Sequence, residues 1–394
     1  MKVAVINKHG EPLMPCSPRK AKRLLRENKA TVANRNPFAI QLKHGSFGHK
    51  QDLTLGVDTG HSEVGLSVVS ESVEVFSAVA KLRNDISDKL ETRRMYRRNR
   101  RGRLRYRQPR FLNRSASTRK GRLPPSVQWK VDAHFKLVNH VKSLFPIAKI
   151  VLETCTFDMA KMNNPDIANA QYQKGVQYGF ENTKAYVLSR DRYQCQSGKK
   201  GCCDKLEVHH IHYRSKGGSD APDNLITLCK KHHRSLHDGK WILNKIKHKS
   251  LKSATTMNVI RAGMLKLLPE AIETFGYVTK ANRYHYGIEK THSNDAFVIA
   301  GGSTQNRAGE HSITFKRKNN RSLQLNRKGF APSIRRQRYS IQPKDLIAWN
   351  NQIFVAQGMQ NKGAYLKFTD GVKSFVKSIK HIEIVFHQKG LIVS

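Results

Sequence analysis

The stretch RRMYRRNRRGRLRYRQPRFLNR, residues 93–114, holds eleven arginines and no acidic residue. A block of like charges repels itself and keeps a compact shape only against a partner of opposite sign. A solvated face or a tail is the bland reading of such a run, and two features argue against it. The cation is almost always arginine, whose planar fork matches phosphate oxygens. Tyr96, Tyr106 and Phe111 are interleaved, where rings can stack on bases. The whole chain agrees: 72 Lys and Arg stand against 29 Asp and Glu, a formal net charge of +43 over 394 residues. That excess is beyond what solubility requires, and nucleic acid is the natural polyanion to neutralise it. Up to Gly102 the run can form a helix, which Pro109 would end.

No apolar run approaches the length needed to span a bilayer. The opening MKVAVINKHGEPLMP alternates like a strand, without a long apolar signal core, so the chain reads as intracellular and cytoplasmic. Four of its six cysteines, Cys195, Cys202, Cys203 and Cys229, fall in one short interval. In a reducing compartment that clustering suggests a metal and not disulfides.

Residues 1–50 read as a small α/β unit. KVAVI alternates as a strand, Ser17-Pro18 supplies an N-cap and first-turn proline for RKAKRLLREN, and PFAIQL returns as a strand. LTLGVDTG, EVGLSVVS and VEVFSAV are three short runs of an antiparallel meander. Val127, Val131, Phe135, Val138, Val141 and Leu144 recur every three or four residues, which predicts an amphipathic helix. AKIVLETCTF follows as a strand, and TMNVIRAGMLKLLPEAI and HSNDAFVIAGG as helices. Residues 316–338 read as a basic, loop-rich connection. DLIAWNNQIFVAQGMQ, GAYLKFTDGVKSF and HIEIVFHQKGLIVS alternate like strands of a small barrel or sheet.

Two constellations carry chemistry. Asp58 ends one predicted strand, Glu153 ends another, and His292 and Asp295 are three residues apart on one helical face. This order of elements is that of a ribonuclease-H-like fold, in which acids from two strand ends and a late helix meet. Such acids suit Mg²⁺, a hard cation that takes oxygen ligands, and His292 would position or deprotonate a water. Taken singly, each acid is no more than a turn former or a solvated rim residue.

The second constellation is LEVHHIHYRSKGGSDAPDNLITLCKKHH. Adjacent histidines on a strand point to opposite faces and so have different jobs. A loop with Gly217-Gly218 and Asn224 follows, then a helix carrying CKKHH. The pattern is a ββα-metal arrangement, with one histidine of the pair on a metal and the other a general base on water. A structural zinc finger is the competing reading, but zinc alone does not call for the histidine pair, the glycines and the asparagine together. Cys195, Cys202 or Cys203, Cys229 and His232 form a separate candidate Cys₃His zinc site. The position that would complete a C-x-x-C half-site is Gly198, which leaves that half-site irregular.

On these residues the chain resembles the IscB family of transposon-encoded, RNA-guided DNA endonucleases. EPLMP with its following basic helix resembles that family's N-terminal module. GVDTGHSEVGLS, IVLET and THSNDA resemble its three split RuvC motifs, the arginine run its bridge helix, and the histidine stretch its HNH insertion. LKSATTMNVIRAGML and TKANRY are similar to the segment before the third RuvC motif. The resemblance implies an α/β, ribonuclease-H-like RuvC core split by an arginine-rich bridge helix and an inserted ββα-metal HNH domain. A small N-terminal α/β module and a C-terminal β-rich domain complete it.

The implied boundaries are 1–50 for the N-terminal module, 51–90, 121–165 and 241–312 for the three RuvC parts, and 91–120 for the bridge helix. The HNH domain with its linkers takes 166–240, a basic RNA-binding linker 313–340, and a domain that reads the motif flanking the target 341–394. Carried over residue by residue, Asp58, Glu153, His292 and Asp295 form the RuvC site. His210 becomes the HNH base, with His209 and His233 at its metal, Asn224 bracing the loop or joining the metal shell, and His237 joining or replacing His233. Arg93, Arg94, Arg97, Arg98, Arg100, Arg101, Arg103, Arg105, Arg107 and Arg110 become RNA contacts. The implied cofactors are Mg²⁺ at both nuclease sites and a structural Zn²⁺. The implied partners are a guide RNA, called ωRNA, and double-stranded DNA bound by a monomeric protein, with no membrane. The alternatives are an unguided, structure-specific nuclease of the resolvase type with an added HNH domain, and a non-catalytic RNA-binding scaffold.

Overall fold

The computed structural model describes residues 2–45, 47–102, 121–163, 165–168, 172, 174–214, 218–243, 251–315, 339–388 and 390–394. Arg103, Arg105, Arg107, Arg110, Gly217 and the basic connection at 316–338 lie outside these residues, and of Arg100 only the backbone is described. The chain divides into two units, Met1–Cys155 with Val259–Ser394, and the inserted Thr156–Asn258. Among the described residues no helix is long and apolar enough to cross a membrane.

The first unit opens with β1 (Val3–Ile6), β2 (Pro12–Cys16), α1 (Pro18–Arg26), β3 (Ala30–Asn34) and β4 (Ala39–Leu42). Ser17 caps α1, its hydroxyl accepting from Lys20 N at 3.3 Å, and Pro18 takes the first turn, where its missing N–H costs nothing. The four strands form one sheet in the order β2-β1-β4-β3. Two of them, β2 and β3, are additions to the strands expected at the start of the chain.

Next come β5 (Leu53–Asp58), β6 (Glu63–Val69) and β7 (Glu74–Lys81), which pair antiparallel as a meander. The arginine run begins within α2 (Ile86–Gly102), which covers the half where a helix was expected; residues 103–120 lie outside the described ones. α3 (Pro125–Lys142) buries Val131, Val138 and Val141, the stripe its periodicity predicts. β8 (Ile147–Thr154) then runs parallel to β5.

The inserted unit holds α4 (Met159–Asn163), α5 (Thr183–Arg190), the hairpin β9 (Leu206–His210) and β10 (Leu225–Cys229), and α6 (Lys230–His237). Ile226, Leu228 and Leu236 make its small core. Its two ends are clasped together: Asn258 Oδ1 accepts from Phe157 N at 2.9 Å, and Asn258 Nδ2 donates to Phe157 O at 2.8 Å.

The chain continues through α7 (Lys252–Leu267), β11 (Ile272–Phe275), α8 (Gly276–His285), α9 (His292–Ile299) and β12 (Glu310–Phe315). A separate five-stranded sheet follows, of β13 (Leu346–Trp349), β14 (Gln352–Gln360), β15 (Tyr365–Thr369), β16 (Ser374–Ser378) and β17 (Glu383–Phe386). Its core is Ile347, Phe354, Ala356, Leu366 and Phe368. The last strand, β18 (Leu391–Val393), departs from the expected boundary. It leaves that sheet and pairs antiparallel with β12, as the edge of the seven-stranded order β11-β8-β5-β6-β7-β12-β18. Leu391 and Val393 bury their side chains there.

The seven-stranded sheet positions the acids, and two glycines set how closely α9 lies on it. A Cβ at Gly56 of β5 would collide with the carbonyl of Ala296, and one at Gly65 of β6 with the carbonyl of His292. At these two points the helix rests on strand backbone. Gly65→Ala should destabilise the protein by roughly 1–3 kcal/mol, the usual cost of overpacking a fixed contact. A urea midpoint equal to the parent's would show that α9 does not rest there.

Candidate nuclease sites

Asp58 and Glu153 occupy partner positions in the parallel pairing of β5 with β8, so their carboxyl groups leave adjacent strand ends. α9 begins beside them. Thr291 caps it, its hydroxyl accepting from Asn294 N at 3.1 Å, and its first turn carries His292 and Asp295. His292 Nδ1 lies 2.5 Å from Asp58 Oδ2, and His292 Nε2 lies 3.7 Å from Glu63 Oε2. The structure thus brings together all four residues expected at this site.

Electrostatics mark the site as one where negative charge is crowded. Burial, and then repulsion from Asp58 and Asp295, pushes Glu153 up to about 7. Burial, with Asp58 next, also raises Asp295. The hydrogen bond His292 donates to Asp58, with the charge of that carboxylate, raises His292. Glu153 Oε2 and Asp295 Oδ1 are buried without a hydrogen-bond partner among the described residues. Arg283 Nε stands 2.9 Å from Asp295 Oδ1 as a charge partner, out of line for a hydrogen bond. Orphaned, mutually repelling carboxylate oxygens fit a hard divalent cation such as Mg²⁺, which would be held by Asp58, Glu153 and Asp295. Sequence reasoning missed Glu63, Thr279 and Arg283. The last two are four apart and buried on α8, a signal visible only once that helix is known.

The hairpin and α6 build the second site. His209 and His210 leave β9 on opposite faces, His209 buried and His210 half-buried. One ring nitrogen from each of His209, His233 and His237 lies within 4.8 Å of the others. His233 Nδ1 donates to Glu207 Oε2 at 2.6 Å, which leaves its Nε2 lone pair facing His237 Nε2 at 3.1 Å. Burial, and then the neighbouring imidazoles, holds His209 down at about 4, so it is neutral and free to ligate. Three imidazoles fit a borderline transition ion such as Zn²⁺, Ni²⁺ or Co²⁺ better than the expected Mg²⁺, which prefers oxygen.

Of the two places expected for Asn224, the loop or the metal shell, its hydrogen bonds fit the loop. Its Oδ1 accepts from His212 N at 2.8 Å, while its Nδ2 donates to Ser219 O at 2.7 Å and to His212 O at 3.0 Å. The side chain is spent on bracing the loop, and His237 joins His209 and His233 instead. Gly218 is needed beside it, because a Cβ there would strike the His212 carbonyl. His210, on the other face, has Nε2 2.8 Å from Asp220 Oδ1, and Asp220 also pairs with Arg214.

The third cluster is Cys195, Cys202, Cys229 and His232. Tetrahedral zinc, with sulfur at about 2.3 Å and nitrogen at about 2.0–2.1 Å, sets each S···N edge near ~3.6 Å. The sulfurs of Cys195, Cys202 and Cys229 lie 3.6, 3.6 and 3.2 Å from His232 Nδ1. Gly198 and Gly201, at φ of +66° and +76°, turn the long loop so that Cys202 returns to Cys195. Of the two alternatives, Cys202 joins the cluster, while Cys203 is exposed, with its sulfur 3.9 Å from Lys205 O and outside it.

Residues 194–239 match the HNH endonuclease family, and residues 3–175 match the RRXRR protein family. The inserted unit carries an HNH endonuclease domain. Over 64 residues, 14% of this chain and 23% of that protein, the chain is 36% identical to the type IV methyl-directed restriction enzyme EcoKMcrA of Escherichia coli. A crystal structure of Streptococcus thermophilus Cas9 in complex with the AGAA PAM matches at 17% identity and a TM-score of 0.32. That match covers 45% of this chain and 26% of the other. The chain spans about a quarter of the length of each.

Two outcomes follow. Metal analysis of the purified protein should find zinc lost in Cys202→Ser and kept in Cys203→Ser; equal zinc in both would remove Cys202 from the site. In chelator, Glu153 contributes stability below about 4.5, and that contribution is lost as pH rises through about 7. Metal-free Glu153→Gln should therefore gain on the parent in thermal midpoint across that interval. A difference that stays constant with pH would contradict the raised carboxyl.

Proposed function

We propose that this chain is an RNA-guided DNA endonuclease of the IscB type, with a ribonuclease-H-like RuvC site at Asp58, Glu153, His292 and Asp295 and an HNH site at His210. The observation that carries this reading is the presence of two donor sets of different chemistry, one of orphaned carboxylates and one of converging imidazoles, in one strongly basic chain. RNA guidance is supported by α2, which presents Arg93, Arg94, Arg97, Arg98 and Arg101 on a helix with Asp88 and Glu91 as its only acids. Such a helix suits the closely spaced phosphates of a folded RNA.

A divalent ion, when bound at each site, neutralises phosphate charge and acidifies a water. At the HNH site Asp220 holds one nitrogen of His210, leaving the other to take a proton from the attacking water. His209, on the far face of β9, stays out of that step. At the RuvC site Asp58 fixes His292 through Nδ1, so Nε2 is the nitrogen left to move a proton. In this reading the guide pairs with one DNA strand, the HNH site cuts that strand, and the RuvC site cuts the displaced one.

Asp58→Ala should leave a nickase for the paired strand and His210→Ala one for the displaced strand, read by strand-resolved labelling. Continued double-strand cutting in either variant would refute the assignment. A discrete RNA should co-purify, and cutting that survives its removal would favour the unguided, resolvase-type alternative. Neutral replacement of Arg97, Arg98 and Arg101 should weaken RNA binding, with a loss that shrinks as salt rises. A filter-binding salt series identical to the parent's would remove α2 from the RNA interface.

A further inference from the structure

We propose that the cavity beside the RuvC acids is a subsite for one unpaired nucleotide of the strand being cut, next to the scissile phosphate; this rests on the acid-site reading above. The cavity, about 430 Å³, is walled by His61, Ser62, Glu63, Lys81, Asn84 and His292. That volume lies inside the ~300–1,000 Å³ usual for small-ligand sites, room for one nucleoside and too little for a base pair with its backbones. His292 belongs to both sites: it lines the cavity, and its Nδ1 binds Asp58.

The walls are held by a buried cation. Lys130 of α3 is 5% exposed, and its Nζ donates to His61 O at 2.5 Å and to Asn84 Oδ1 at 3.1 Å. Burying a lysine is costly unless its protons are used, and here they fasten the β5–β6 loop to the segment after β7. The Lys130 contact occupies the Asn84 carbonyl and orients the amide nitrogen toward Ser62 Oγ, 3.4 Å away. At the loop's other end, Thr59 Oγ1 donates to Glu153 O at 2.6 Å. The cavity is thus set by the same contacts that set the acids.

Its chemistry fits a nucleotide laid in one direction. Lys81 offers charge to a flanking phosphate, Glu63 repels one, and Leu82 gives an apolar floor for a base or sugar. The Asn84 amide and Ser62 hydroxyl provide polar edges. A base reaches such a cavity only out of its stack, which selects a single strand over a duplex.

The test uses the full chain carrying His210→Ala, with its co-purified RNA, on the duplex DNA that it nicks in the strand-resolved assay. A single abasic nucleotide is moved through the nicked strand. At one position beside the cut it should slow nicking about tenfold, the scale of losing one well-seated base. Ser62→Trp, which fills the cavity, should raise the KM for that strand about tenfold and erase the dependence on abasic position. With His210 intact, Ser62→Trp should cut the other strand at the parent's rate, showing a folded protein. A flat abasic scan, or Ser62→Trp nicking like the parent, overturns the subsite while leaving the RuvC reading in place. If His210→Ala cuts neither strand, both readings fall.

Discussion

The acid site depends on a helix that touches strand backbone. Gly56 and Gly65 remove the side chains that would hold α9 away from β5 and β6. With α9 seated, the first turn of that helix reaches the strand ends, and His292 and Asp295 meet Asp58 and Glu153. Side chains at these two positions would hold the helix off the strands and carry its first turn away from the strand ends. The neighbouring elements then serve this contact: Thr59 ties the loop after β5 to β8, and Arg283 from α8 stands against Asp295.

Convergence has an electrostatic cost. Three carboxyl groups share a poorly solvated space, two of their oxygens lack hydrogen-bond partners among the described residues, and Arg283, Lys290 and His292 offset only part of the repulsion. The HNH site is built the other way. Its donors are imidazole nitrogens, ordered by Glu207 at one end and by burial of His209 at the other, and an imidazole brings no negative charge that needs a compensating cation. Oxygen donors in one place and nitrogen donors in the other separate the metal preferences of the two sites.

How much of this was legible follows from what each feature depends on. The arginine helix, the meander and the α3 stripe are local patterns, and composition or periodicity states them directly. The two jobs of His209 and His210 were legible because alternation along a strand is geometric necessity. The acids were legible through the order of their elements. β11 was not, because IETF is four residues long and only partly buried, and its place comes from pairing with β8. β18 read correctly as a strand but with the wrong partner, since alternation does not say which sheet a strand joins. The choice of Cys202 over Cys203, and of His237 over Asn224, turns on loop conformation. Gly198, Gly201 and the Asn224 brace decide it, and spacing alone does not carry that information.

The clasp between Phe157 and Asn258 bears on the history of such a chain. The inserted unit leaves and re-enters at two points joined by a pair of hydrogen bonds, so its roughly hundred-residue excursion closes on itself. A segment whose ends meet can be acquired, exchanged or discarded in one genetic step, because the host needs only a gap wide enough for two adjacent strands of backbone. The same closure relieves the host of loop entropy that a long open connection would impose. A chain of this design can therefore gain an HNH endonuclease domain by grafting, without rebuilding the sheet that received the graft.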